Sequence, residues 1–142
     1  VNAKEYLSQL NQLDTMINQR IKEKDSIRSY LSDLSAVEFA QEKVQGGKLP
    51  GETGFTEKVI RLIDLETEID RLIDDYVDLK HKIIGQIHNL NNANHIKLLY
   101  SRYVERKRFE EIAVDMNYAY QYVKQLHKNA LQEFERSYPI LP

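Results

Sequence analysis

LLYSRYVERKRFEEIAVDMNYAYQYVKQLHKNALQEF, residues 98–134, is the stretch that decides the fold. Read at helical spacing, it predicts one helix over 109–116, a break at Asn117 and a second helix over 120–134. Ile112, Ala113 and Met116 give the first helix an apolar stripe, and Val123, Leu126, Ala130 and Phe134 give one to the second. The two stripes can meet only if the chain turns sharply between them, which is the sequence shape of a helix-turn-helix. Ala113 falls where two such helices cross most closely, so a small side chain is required there. Asn117 suits the break because asparagine is second only to glycine in tolerating the left-handed conformation that ends a helix.

With Val123 turned inward, the outward face of the second helix carries Tyr120, Gln121, Lys124, Gln125 and Lys128. These types bond base edges and phosphates. The basic run Arg106-Lys107-Arg108 stands just before the first helix of the motif, close to where such a domain meets a phosphate backbone. The set Arg102-Tyr103, Glu111-Ile112-Ala113, Tyr122-Val123-Lys124-Gln125 and Asn129-Ala130-Leu131 resembles region 4 of bacterial sigma factors. In organisation the whole chain is similar to a sigma-like family encoded by phages and prophages of Gram-positive bacteria.

The resemblance implies a DNA-binding regulator of transcription whose second motif helix enters the major groove. Tyr120, Gln121, Lys124 and Gln125 match its base-contacting positions, and host RNA polymerase is the implied protein partner. Arg102, Arg106, Lys107, Arg108 and Lys128 are the expected phosphate contacts. Three departures accompany the match. Arg106 and Arg108 replace the loop glycine and the Ser or Thr that caps the first helix, and Ala119 stands where a capping Ser is expected. A missing cap costs about 1 kcal/mol. Here capping is exchanged for charge.

The residues before the motif predict two long helices. From Asn2 to Leu34, apolar residues recur at Tyr6, Leu10, Leu13, Ile17, Ile21, Ile27, Leu31 and Leu34, the three-and-four spacing of a coiled seam with Lys24 in it. From Thr56 to Leu90, Leu62, Ile69, Tyr76, Ile83 and Leu90 repeat every seven residues, with Val59, Leu65, Leu72, Ile73, Leu79 and Ile87 in the other seam. Between them, residues 35–55 hold four of the five glycines and Pro50, and read as a mobile connector. An antiparallel helical hairpin is the simplest way to bury both stripes. Leu65, Leu72 and Leu79 beside Leu62, Ile69 and Tyr76 add a second apolar face, which fits a homodimer through the arm.

The expected fold is therefore all-α: a hairpin arm over 1–90, a helix-turn-helix head over 91–136 and a tail over 137–142. Asn89, Asn91, Asn92 and Asn94 mark the break before the head, whose first helix buries Ile96, Leu99 and Tyr103.

Composition narrows the function classes. No cysteine is present, so disulfides and thiolate metal sites are excluded, and no apolar run spans a bilayer. A cytoplasmic protein is expected. The net charge of −2 argues against blanket attraction to nucleic acid, yet residues 95–128 carry seven Lys or Arg against four Asp or Glu. The expected affinity for duplex DNA is weak and assisted by a partner or a second copy.

No catalytic constellation, cofactor or metal site is expected. The row His81, His88 and His95 spaces its members about 10 Å apart, too far to share an ion, and the acids Glu66, Asp70, Asp74 and Asp78 lack a paired His within a turn. The glycines of 46–54 follow no strand and miss the phosphate-loop spacing. Two alternatives stand beside the regulator: a small terminase-like subunit of phage DNA packaging, and a coiled-coil interaction module with little DNA affinity.

Overall fold

Every described element is helical. The computed structural model describes residues 1–45 and 52–142, with side chains for 1–34 and 54–142. In chain order the elements are α1 (Ala3–Gln45), α2 (Glu52–His88), α3 (Ala93–Leu99), a π turn (Tyr100–Val104), α4 (Phe109–Met116) and α5 (Tyr120–Ser137). No described helix is long and apolar enough to cross a membrane.

Two boundaries expected from the sequence are corrected. α1 continues eleven residues beyond Leu34 to Gln45, and α2 begins at Glu52 rather than Thr56, so the connector over 35–55 is largely helical. Loss of a seam pattern removes a packing face, not helix propensity, and Ala36, Glu38, Ala40, Gln41, Glu42 and Lys43 are strong helix formers. Gly54 lies inside α2, with open space where a side chain would stand. Gly46, Gly47, Pro50 and Gly51 lie outside the described residues. α2 also ends at His88, two residues before the expected Leu90, and α5 runs three residues past Phe134.

The packing divides the chain into two compact units, 15–74 and 1–14 with 75–142. In the first, Ile17, Leu31, Leu65, Ile69 and Leu72 are buried. Arg20 pairs with Glu68 at 3.1 Å, Arg28 with Glu66 at 2.9 Å and Arg61 with Glu23 at 2.9 Å, while the Lys58 ammonium lies over the Tyr30 ring. Ile60, Ile63 and Ile73 of α2 stay exposed.

The second unit has a single core. Ala3, Tyr6, Leu7 and Leu10 of α1, Ile83 and Ile87 near the end of α2 and Leu90 just beyond it join Leu98, Leu99, Tyr103, Ile112, Val123, Ala130 and Phe134. Thus the outer turns of both long helices are part of the same core as the C-terminal helices. Asn2 caps the start of α1: its side chain accepts the Glu5 N–H at 2.8 Å and donates to the Glu5 carboxylate at 3.2 Å. Tyr6 donates to Gln86 at 2.7 Å, and the Ala3 N–H to Glu135 at 3.1 Å. The tail docks through Tyr138, which donates to the Gln86 carbonyl at 3.0 Å and packs on Phe134.

The asparagine-rich break is held from α5. Asn92 caps α3 by accepting from the Asn94 and His95 N–H groups, and the Glu133 carboxylate takes the Asn91 N–H at 2.9 Å and meets His95 Nδ1 at 2.6 Å. Burial pushes the Glu133 carboxyl up, but these hydrogen bonds outweigh it and hold the group below its usual range. The histidine row has no shared role: His95 is buried, His88 stacks on Tyr100, and His81 is exposed.

Candidate nucleic-acid interface

α4 spans the expected residues, and its end is a Schellman motif. Asn117 sits at φ 57°, the Tyr118 N–H reaches the Ala113 carbonyl at 3.0 Å, and the Asn117 N–H reaches Val114 at 3.2 Å. That left-handed residue reverses the chain within three positions. Ile112 and Ala113 are buried on α4, as are Val123, Leu126, Ala130 and Phe134 on α5. Tyr120, Gln121, Lys124, Gln125 and Lys128 are exposed on the other face of α5. Ala119 supplies no side-chain cap, as its type requires.

Contacts within the exposed face pre-arrange it. The Lys124 ammonium lies 5.4 Å from the Tyr120 ring centre, Gln125 donates to Asn129 at 3.2 Å, and Tyr118 and Tyr122 meet edge to face. Lys128 pairs with no carboxylate among the described residues.

The basic run is engaged elsewhere. Arg106 reaches Asp14 at 2.6 Å and Asn11 at 2.9 Å on α1; Lys107 reaches Asp115 at 2.9 Å; Arg108 reaches Glu111 at 3.0 Å. Hydrogen bonding to Asp115 raises the Lys107 ammonium, and hydrogen bonding from Arg108 lowers the Glu111 carboxyl. Glu111 also accepts the Arg108 N–H at 3.3 Å, so the third residue of α4 closes half a capping box although the cap position holds Arg. Arg102 donates to the Lys107 carbonyl at 3.0 Å and lies 4.2 Å from the Phe109 ring centre. Exposed ion pairs of this kind contribute only about 0–1 kcal/mol to stability.

Arg106 carries a second cost. Its φ of 58° is left-handed. A non-glycine residue there costs about 1–2 kcal/mol. Arg106→Ala should lose the Asp14 contact and keep the strain, whereas Arg106→Gly loses the contact and the strain together. The glycine variant is expected to be the more stable of the two by about 1 kcal/mol, read from urea midpoints. Equal midpoints would contradict the strain.

His127, which sequence reasoning left unassigned, sits behind this face. Its Nε2 hydrogen-bonds with the Tyr103 hydroxyl at 2.7 Å, and its ring meets Phe109 edge-on at 4.9 Å. Burial, then the positive charges of Arg102 and Lys4, push its pKa down to about 4, while burial pushes Tyr103 up to about 12. The imidazole is therefore neutral at pH 7. Because the unfolded chain binds this proton near pH 6.5 and the folded chain only near 4, stability should fall as pH drops between those values. After discounting for partial exposure the loss is about 1–2 kcal/mol. Urea midpoints at pH 7 and pH 4.5, for wild type and His127→Gln, check this: the variant should lose less.

Comparison with protein-family models, curated proteins and solved structures finds no match for this chain.

Proposed function

We propose that the chain is a DNA-binding regulator of transcription, similar to the sigma-like family of phages and prophages, with α5 lying in the major groove. The observation that carries this reading is the division of α5. Its apolar face is buried against α3, α4 and the first turns of α1, while Tyr120, Gln121, Lys124 and Gln125 stand exposed after a left-handed break. In this reading α4, the Asn117 turn and α5 are a helix-turn-helix, and α1 and α2 pair as an antiparallel hairpin. Support for the hairpin comes from partners whose residue numbers sum to the same value, Arg20 with Glu68 and Tyr30 with Lys58. Host RNA polymerase and a second copy of the chain are the proposed protein partners.

Selection of bound duplexes from a random pool, with and without bacterial RNA polymerase, tests the reading. An enriched motif of one helical turn or less per head is expected. A pool that remains random under both conditions would end it.

The second reading is an interaction module with little DNA affinity. It is favoured by the ties of Arg106, Lys107 and Arg108 to Asp14, Asp115 and Glu111, which spend most of the motif's positive charge internally. Under this reading the same selection yields no enrichment at any salt concentration.

A further inference from the structure

Cations that pair with no carboxylate among the described residues meet at one place in the second unit. Lys4 from α1, Arg102 from the π turn and Lys124 from α5 line a pocket of about 300 Å³, together with Ser8, Phe109 and His127. No acidic residue lines it. This differs from the basic run a few residues away, where every guanidinium and ammonium already has an acid beside it.

The elements that build the pocket come from distant parts of the chain, and one of them is irregular. The Glu105 N–H bonds to the Tyr100 carbonyl, a five-residue step, so that Arg102 and Tyr103 both come to line the pocket. Local π geometry of this kind is frequent at functional sites. Arg102 is fixed by its bond to the Lys107 carbonyl and by the Phe109 face, which leaves a pre-oriented fork donor. Tyr103 and His127 hydrogen-bond to each other, and His127, held neutral by burial, adds no positive charge at neutral pH.

Three cations, a hydroxyl and an aromatic wall match a phosphate group on a small organic body. The volume exceeds what a bare ion fills and lies at the lower end for small-molecule sites. We propose that this pocket binds a small phosphate-bearing molecule. DNA backbone phosphate shares the same chemistry, and the test separates the two sources. The free-phosphate arm contains no DNA, so it stands or falls apart from the regulator reading.

His127 is the reporter, since Arg102 and Lys4 act on its proton directly. An anion seated among them should raise its pKa by about one unit. The ring is followed by NMR against pH in sodium phosphate, in adenosine monophosphate, in sodium chloride of matched ionic strength, and with a 20-base-pair duplex. The expected result is a rise in phosphate and in the nucleotide, absent in chloride. Lys4→Met, which keeps the exposed stem and removes the charge, and Ser8→Ala should each diminish it severalfold.

Identical titrations in phosphate, nucleotide and chloride would overturn the proposal, as would an undiminished rise in Lys4→Met. A response to the duplex alone would assign the site to backbone phosphate and overturn the small-molecule assignment.

Discussion

Phe134→Ala is expected to destabilise the second unit by about 3–5 kcal/mol, the range for deleting a buried aromatic ring. The ring is fully buried, 6.1 Å from the Tyr6 ring centre and 4.9 Å from that of Tyr138. It therefore ties α5 to the first turns of α1 and to the docked tail at once. Collapse around the cavity is restricted because Tyr6 and Tyr138 are both anchored by hydrogen bonds to Gln86. Against a typical domain stability of about 5–15 kcal/mol, this is a large fraction of the total. Urea unfolding followed by tyrosine fluorescence should show a lowered midpoint at an unchanged slope. Tyr122→Ala is the contrast: half exposed, it should move stability by no more than about 0.5 kcal/mol. A loss under about 1 kcal/mol for Phe134→Ala would mean that the α1–α5 packing contributes little.

The same packing explains what the sequence carried and what it did not. The limits of α4, the left-handed Asn117 and the two faces of α5 were legible because each is set within one or two turns: an apolar stripe, a residue tolerant of positive φ, a polar stripe. The end of α1 was not. A broken seam at Ser35 looks like a helix end, but helix persistence depends on backbone propensity, which residues 36–43 retain.

Ties between distant residues were beyond reach for a different reason. Arg106 and Asp14 are separated by most of the chain, and nothing local in either marks the other. The π turn has no compositional signature either, since a single inserted residue shifts the register without changing the apolar spacing on each side. Consequently the exposure of Tyr120, Gln121, Lys124, Gln125 and Lys128 was legible in the sequence, while that of Tyr122 and Asn129, the pairing of the basic run and the pocket at His127 were not.

Replacing Gln121 and Lys124 should separate sequence recognition from general attraction to DNA. In the regulator reading each contacts base edges, and losing one good base contact costs about 1–3 kcal/mol, roughly 5- to 150-fold in affinity. Gln121→Ala is expected to weaken binding to the selected motif by that factor and leave binding to random duplex unchanged, since an amide contributes no charge. Lys124→Ala should weaken the motif similarly and random duplex slightly, because its ammonium also adds to the positive field near Tyr120. Lys128→Ala should act differently: an even loss on all sequences, with the slope of log affinity against log salt reduced by about one. The basic run sets the background for this comparison. With Arg106, Lys107 and Arg108 held by acids, Arg102, Lys124 and Lys128 are left to release counterions on binding, so the wild-type slope itself should be shallow, about three rather than the roughly five that all six cations would give. Asp14→Asn frees Arg106 for a phosphate and should steepen it. If Gln121→Ala and Lys124→Ala weakened motif and random duplex alike, α5 would be acting as a charged surface rather than a reader of bases.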